Sequence, residues 1–255
     1  MRFLVVVILI VWNLPAIAQQ SNLDEKIMAA MAGDIRTEAE IARDKNRKPI
    51  DTLNFFQLKD DMRVLELIPG GGWYTKILAP TLRENGELYV AIINMNWLGY
   101  TQEKLTSWLY RMISDQDGFD RVKVLQINAG REQTGNISAF DFGVENIDLA
   151  VTFRNMHNFT LEGRGNINAA VFDSLKSGGL FGIVDHSKRH MEPMNNENRR
   201  RVDPVQIIHE VLAAGFEFVD FSDLHYRPDD ELRFEVGRKT VTGNTDRFTL
   251  LFRKP

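Results

Sequence analysis

"RVLELIPGGGWYTKILAP", Arg63 to Pro80, carries an apolar run into three consecutive glycines and then into residues that read as a helix. The apolar run makes Arg63 to Leu67 a strand, and the helix is expected from near Trp73 to just before Glu84. At a strand-to-helix corner, side chains would keep a ligand away from backbone N–H groups, and glycine also tolerates the positive dihedrals of a tight turn. Gly70, Gly71 and Gly72 therefore suit a nucleotide-like ligand. A triphosphate-binding loop would end in Gly-Lys-Ser/Thr, whereas this one ends Gly-Gly-Trp-Tyr-Thr. A dinucleotide fingerprint wants a third glycine where Thr75 stands, and an acid at the end of the next strand, where Ile92, Ile93 and Asn94 stand.

Beyond this corner strand-like and helix-like runs alternate, the pattern of a parallel sheet covered on both faces. Further strands are expected at Glu87 to Ile92, Val122 to Gln126, Ile147 to Val151 and Leu180 to Asp185. Helices are expected at Gln102 to Ile113 and at Gly163 to Lys176, the latter stopped by Ser177-Gly178-Gly179. In "RVDPVQIIHEVLAAGF", 201–216, Asp203 reads as an N-cap, Pro204 as the first helical residue and Gly215 as the stop. Two more strands, Phe216 to Phe221 and Arg247 to Phe252, flank a long polar loop. The last is expected to pair antiparallel at the sheet edge, completing seven.

The chain opens "MRFLVVVILIVWNLPAIAQQ", with Arg2, a short apolar run and Ala16-Ile17-Ala18. That is the pattern of a secretory signal, with cleavage expected after Ala18 and a periplasmic or secreted destination. The run is about a dozen residues, short of the roughly 20 that span a bilayer, so no stable membrane insertion is expected after cleavage. Residues 19–60 read as an N-terminal helical extension with Asn22 and Glu25 as a capping box. Within it "RTEAEIARDKNRKP" reads as a solvated charged face and "PIDTLNFFQL" as a short amphipathic helix. Residues 61–255 form the main domain. A formal net charge of -4 gives no overall positive field to attract nucleic acid. The chain has no cysteine, which excludes disulfides, thiolate metal sites and cysteine nucleophiles.

S-adenosylmethionine is the third ligand class for such a corner, held by a glycine loop that follows an acid on the first strand. Glu66 stands at that position. The stretches "RVLELIPGGGWYTKILAP", "NIDLAVTFRNMHNF", "LKSGGLFGIVDHS" and "RRVDPVQIIHEVLAAGFEFVDFSDL" together resemble the class I S-adenosylmethionine-dependent methyltransferases, and within them an exported bacterial group of predicted methyltransferases. "ARDKNRKP" and "TDRFTLLFRKP" are similar to that group as well. The resemblance implies a Rossmann-like, seven-stranded, mostly parallel sheet with an antiparallel last strand and helices on both faces. It also implies that Glu66 is the family's first-strand acid and that Gly70 and Gly72 pass close to the methionine part of the cofactor, with Ile68, Pro69 and Gly71 as further cofactor-binding residues of the same loop. Ile68 stands where many members have the first glycine. Asn94 is the nearest polar residue to the acid that members use for the ribose hydroxyls, and Asn128 stands where an acid commonly meets the adenine amine. An amide oxygen accepts either bond without charge assistance.

Ligands of open parallel sheets bind beyond the carboxyl ends of the strands. The fourth strand runs into "RNMHN", with Arg154, Asn155, His157 and Asn158, and the fifth into "DHS", with Asp185, His186 and Ser187. Methyl transfer to a protonated nucleophile needs a base, and His157 or His186 is the candidate because histidine as a residue type titrates near neutrality. Either histidine equally suits a hydrogen-bonded role in holding a loop. Asp185 and Asn155 complete the catalytic candidates. His157, Asp185 and His186 are acceptable metal ligands by type but lack ligand spacing, so no metal site is assigned. Trp73 and Tyr74 read as core, the alternative being a cover over the cofactor, His190, His209 and His225 as surface or packing residues, and Arg199 to Arg201 as a solvated run whose alternative is an anion clamp. The expected activity is methyl transfer from S-adenosylmethionine to a small-molecule substrate. The alternatives are an exported, non-catalytic small-molecule-binding protein with the same fold and a nicotinamide oxidoreductase.

Overall fold

A computed structural model describes residues 14–93, 107, 109, 111–112, 118–127 and 135–255, with side chains from residue 22 onward. Helices α1 (Leu14–Met31), α2 (Glu38–Ile41), α3 (Asp44–Arg47) and α4 (Pro49–Phe55) precede the sheet. The sheet and its helices follow as β1 (Arg63–Leu67), α5 (Thr75–Leu82), β2 (Glu87–Ile93), β3 (Lys123–Ile127), β4 (Ile147–Phe153), α6 (Leu161–Ser174), β5 (Leu175–His186), α7 (Pro204–Ala213), β6 (Glu217–Ser222) and β7 (Arg247–Arg253). The strand order is β3-β2-β1-β4-β5-β7-β6, parallel from β3 to β5, with β7 antiparallel to both neighbours. This is a Rossmann-like, mostly parallel sheet with helices on both faces. β7 lies between β5 and β6 rather than at the edge, because its seven apolar-rich residues are buried almost throughout and need a partner on each side.

The period of two along each strand divides the core into two layers. Leu65 and Leu67 face a layer capped by α6 and α7 through Ile167, Val171, Ile207 and Val211. Val64 faces the other layer, where Leu23 and Ile27 of α1, Leu53 of α4, Phe56 just after it, and Ile77 and Leu78 of α5 pack together. Glu66 belongs to this second face by the same alternation, and is 2% exposed.

The N-terminal extension is therefore part of the core. Asn22 is not a cap, since α1 begins at Leu14 and runs through it. The expected cleavage site at Ala18 falls within that helix, while residues 1–13 lie outside the described residues. Among the described residues no helix is long and apolar enough to cross a membrane. The charged stretch is not a solvated face throughout, for Arg36 and Arg47 are only 5% and 6% exposed. Arg36 pairs with Asp44, and Thr37 and Glu40 form the capping box of α2. Ser177-Gly178-Gly179 does not end a helix. It lies inside β5, where Gly178 takes φ +76° next to the register shift between β4 and β5. The expected helix from Gln102 to Ile113 falls mostly outside the described residues.

Candidate functional site

The glycine corner is built as the sequence suggests, with one strained addition. Gly70 and Gly72 adopt φ +58° and +73°, and the Gly72 N–H closes a turn on the Pro69 carbonyl at 3.0 Å. Ile68 adopts φ +51°, a conformation that β-branched residues rarely hold. Such a residue stores about 1–3 kcal/mol, so the surroundings must fix it. Its N–H donates to the Ala91 carbonyl at 2.8 Å, and its carbonyl accepts from Asn155 Nδ2 at 3.1 Å. The same Asn155 amide reaches the Leu67 carbonyl and Thr152 Oγ1, tying the end of β4 to the end of β1. Arg154, beside it, also has positive φ, +63°, with its N–H donating to the Val184 carbonyl at 2.7 Å.

Glu66 lies below this corner and accepts the Thr75 hydroxyl at 2.6 Å. Burial pushes its carboxyl up to about 7 against the opposing pull of Thr75 and Arg47. A Cβ built on Gly70 or Gly71 would meet no atom within 4 Å, so the backbone there borders open space. That space is a cavity of about 160 Å³ walled by Glu66, Gly70, Gly71, Arg43, Arg47 and Arg154, among others. It is smaller than the roughly 300–1,000 Å³ of whole-ligand pockets, so it has room for only one part of such a ligand. Asn94 and Asn128 lie outside the described residues.

A second cavity, about 420 Å³, adjoins the first and shares Arg43, Arg47 and Arg154 with it. His157 and His186 line it. Asp185, fully buried, accepts from His157 Nδ1 at 2.6 Å, from the His157 N–H at 3.1 Å and from the His186 N–H at 2.7 Å. A carboxylate only accepts, so the ring proton sits on Nδ1 and the lone pair of His157 sits on Nε2. His186 is different. Burial first, then the neighbouring Arg247, His157 and Arg154, hold it well below the ordinary histidine range, and its Nδ1 lies 3.0 Å from Thr245 Oγ1. It is neutral and weakly basic. The two rings are 5.8 Å apart, and among the described residues no group of three or more histidine or carboxylate side chains is placed to hold a metal ion.

The sequence reading missed what the N-terminal extension and the last loop contribute. Trp73 Nε1 donates to the Glu40 carbonyl at 2.9 Å, Lys76 pairs with Glu40 at 2.8 Å, and the Arg47 guanidinium lies 4.3 Å from the Trp73 ring centre. These contacts lay residues 40–47 across the glycine corner. Tyr74 stacks on Phe153 at 3.5 Å, so both aromatics serve packing and wall the smaller cavity as well. His225 is buried and holds the Arg47 carbonyl at 3.0 Å and Thr249 at 2.7 Å. Arg201 is not solvated. It is fully buried, with Asp230 2.9 Å away, which fastens the loop between β6 and β7 over the larger cavity, whereas Arg200 is exposed at its rim and pairs with Glu235. The signal available in the sequence was the Arg43, Arg47 spacing of four, which puts both on one helical face.

No family model and no curated protein matches the chain by sequence. Solved structures do match by fold. A SAM-dependent methyltransferase from Aquifex aeolicus aligns with 90% of this chain and 97% of its own at TM-score 0.56 and 16% identity. The [4+2]-cyclase SpnF aligns over 94% and 95% at 0.57 and 15% identity. The glycopeptide N-methyltransferase MtfA, in complex with S-adenosyl-L-methionine, aligns over 81% and 87% at 0.53 and 16% identity.

Proposed function

On the premise of a methyltransferase fold, we propose that this protein binds S-adenosylmethionine at the glycine corner and methylates a small acceptor in the adjoining cavity. The single observation that carries the reading is the opening of the His157–Asp185 pair into a cavity that shares a wall with Gly70 and Gly71. The residues at the corner suit the methionine part of the cofactor: the carboxyl of Glu66 for its ammonium, Arg43, Arg47 or Arg154 for its carboxylate, and bare backbone at Gly70 and Gly71 for close approach. When bound, the cofactor supplies an electrophilic methyl group. His157 takes the acceptor's proton at Nε2 while Asp185 holds the ring and steadies the imidazolium that forms. His186, neutral, positions Thr245 and adds no charge. Asn155 acts through the strand ends it ties together. An exported location is supported by the pattern from Arg2 to Ala18.

A second reading, a binding protein that keeps the fold without methyl transfer, is favoured by the strained Ile68 in a glycine's place and by the cyclase among the fold neighbours. Calorimetric titration with S-adenosylmethionine and S-adenosylhomocysteine separates the two. Saturable binding of both is expected, and no heat up to about 1 mM of either, the edge of weak affinity, would remove the methyl-transfer reading.

A further inference from the structure

The larger cavity is lined by five arginines: Arg43, Arg47, Arg154, Arg200 and Arg247. Arg200 has Glu235 as a partner, but among the described residues no carboxylate forms a salt bridge with the other four, Asp185 acting on Arg154 only from longer range. Arg247 is 8% exposed, its side chain donates to the Asn46 carbonyl at 3.1 Å, and its Nε has no acceptor among the described residues. Arg47 is 6% exposed and lies over the Trp73 ring. Burial, and then repulsion from Arg154, push Arg47 down to about 9 and Arg247 to about 10, while burial and Arg43 lower Arg154. All three stay charged at neutral pH. Concentrating like charges in a partly dry cavity is costly without an anion, and buried charges are ordinarily paired. Structural arginines elsewhere in this chain follow that rule, with Arg36 on Asp44, Arg164 on Glu210 and Arg201 on Asp230. The exceptions converge on one cavity, from α3 and its approach, the end of β4 and the start of β7.

We propose that the molecule taken by this cavity is an oxyanion, a small compound bearing a phosphate or carboxylate, held by Arg154 and Arg247 with Arg43 and Arg47 closing over it. The inference rests on the reading above for the name acceptor, but the anion site stands on its own geometry. The cavity volume of about 420 Å³ falls in the small-molecule range. Guanidinium forks match phosphate and carboxylate two bonds at a time, which gives orientation as well as charge. Arg247 lines only the larger cavity, so a cofactor carboxylate at the glycine corner leaves it free for the second ligand. The same cations favour the deprotonated form of an acceptor group next to His157 Nε2, since they sit where negative charge would develop.

The test is titration of the whole protein at neutral pH and low salt with inorganic phosphate and, separately, with citrate, which tells phosphate from carboxylate chemistry. One saturable site is expected for at least one of them, weakening with added sodium chloride. Arg154→Gln and Arg247→Gln should each weaken it about tenfold or more, as loss of a charge-assisted pair requires. Arg43→Gln, at an exposed position, should weaken it even if the buried variants fold poorly. The proposal is overturned by no saturation with either anion up to about 50 mM, far weaker than typical sites, or by unchanged binding in Arg43→Gln and Arg154→Gln. Stoichiometric competition between phosphate and S-adenosylhomocysteine would also overturn it, by assigning the arginines to the cofactor. Anion binding without S-adenosylhomocysteine binding would keep the anion site and remove methyl transfer; the reverse would remove the anion site alone.

Discussion

Replacing Glu66 with glutamine should make this protein more stable at neutral and alkaline pH. The carboxyl is 2% exposed, and burial raises it from 4.5 to about 7. Between those values the folded protein holds a proton that the unfolded chain has released, so stability falls as pH rises through that window. At 1.36 kcal/mol per unit, the loss attributable to this one group is about 3 kcal/mol, complete above about pH 8. Glu66→Gln keeps the shape and an oxygen for the Thr75 hydroxyl while removing the titration. Other groups titrate nearby with the opposite sign. Burial brings His225 down to about 4, so its contribution is lost as pH falls from the ordinary histidine value, in the variant as in the parent. The measurement is therefore the difference between two urea unfolding profiles, parent and variant, taken from about pH 4.5 to about pH 8.5 with unchanged m-values. The profiles should nearly coincide at the acid end and diverge by about 3 kcal/mol at the other. A constant offset across the range would refute the reasoning, since it would mean that Glu66 titrates alike in both states.

Three other predictions follow the same logic. Gly71 has no positive φ and a Cβ there meets nothing within 4 Å, so Gly71→Ala should change stability by less than about 0.5 kcal/mol. It should nevertheless weaken S-adenosylhomocysteine at least about tenfold by calorimetry, and unchanged affinity would place the ligand elsewhere. A Cβ on Gly182 would come within 2.7 Å of the Phe56 ring, so Gly182→Ala should cost about 1–3 kcal/mol in urea unfolding, part of it recovered in combination with Phe56→Leu. No loss would mean that the segment after α4 does not pack on β5. Intact mass of the protein from an exporting bacterial host should correspond to a chain beginning at Gln19, and a chain retaining Met1 to Ala18 would refute processing there.

Local physics determined the order of elements and the position of the glycine corner. Hydrophobic period and glycine placement put β1 at Arg63–Leu67 and the loop after it, and Asp203 with Pro204 fixed the start of α7. His157, Asp185 and His186 were legible as strand-end residues because the ends of parallel strands share one side of the sheet. Only the folded chain decided their relation: Asp185 accepts from His157 Nδ1, and His186 is left neutral among cations. Arg43 and Arg247 meet at one cavity from opposite ends of the sequence. Their spacing along the chain carries no sign of it, and in an extended chain each would be solvated like any arginine. A charge becomes informative when other segments remove its water, as the β6–β7 loop does for Arg201 and α3 packed against Trp73 does for Arg47. Burial of that kind is a property of the assembled layers, so tertiary structure alone could separate the arginines paired with carboxylates from those that line the cavity without one.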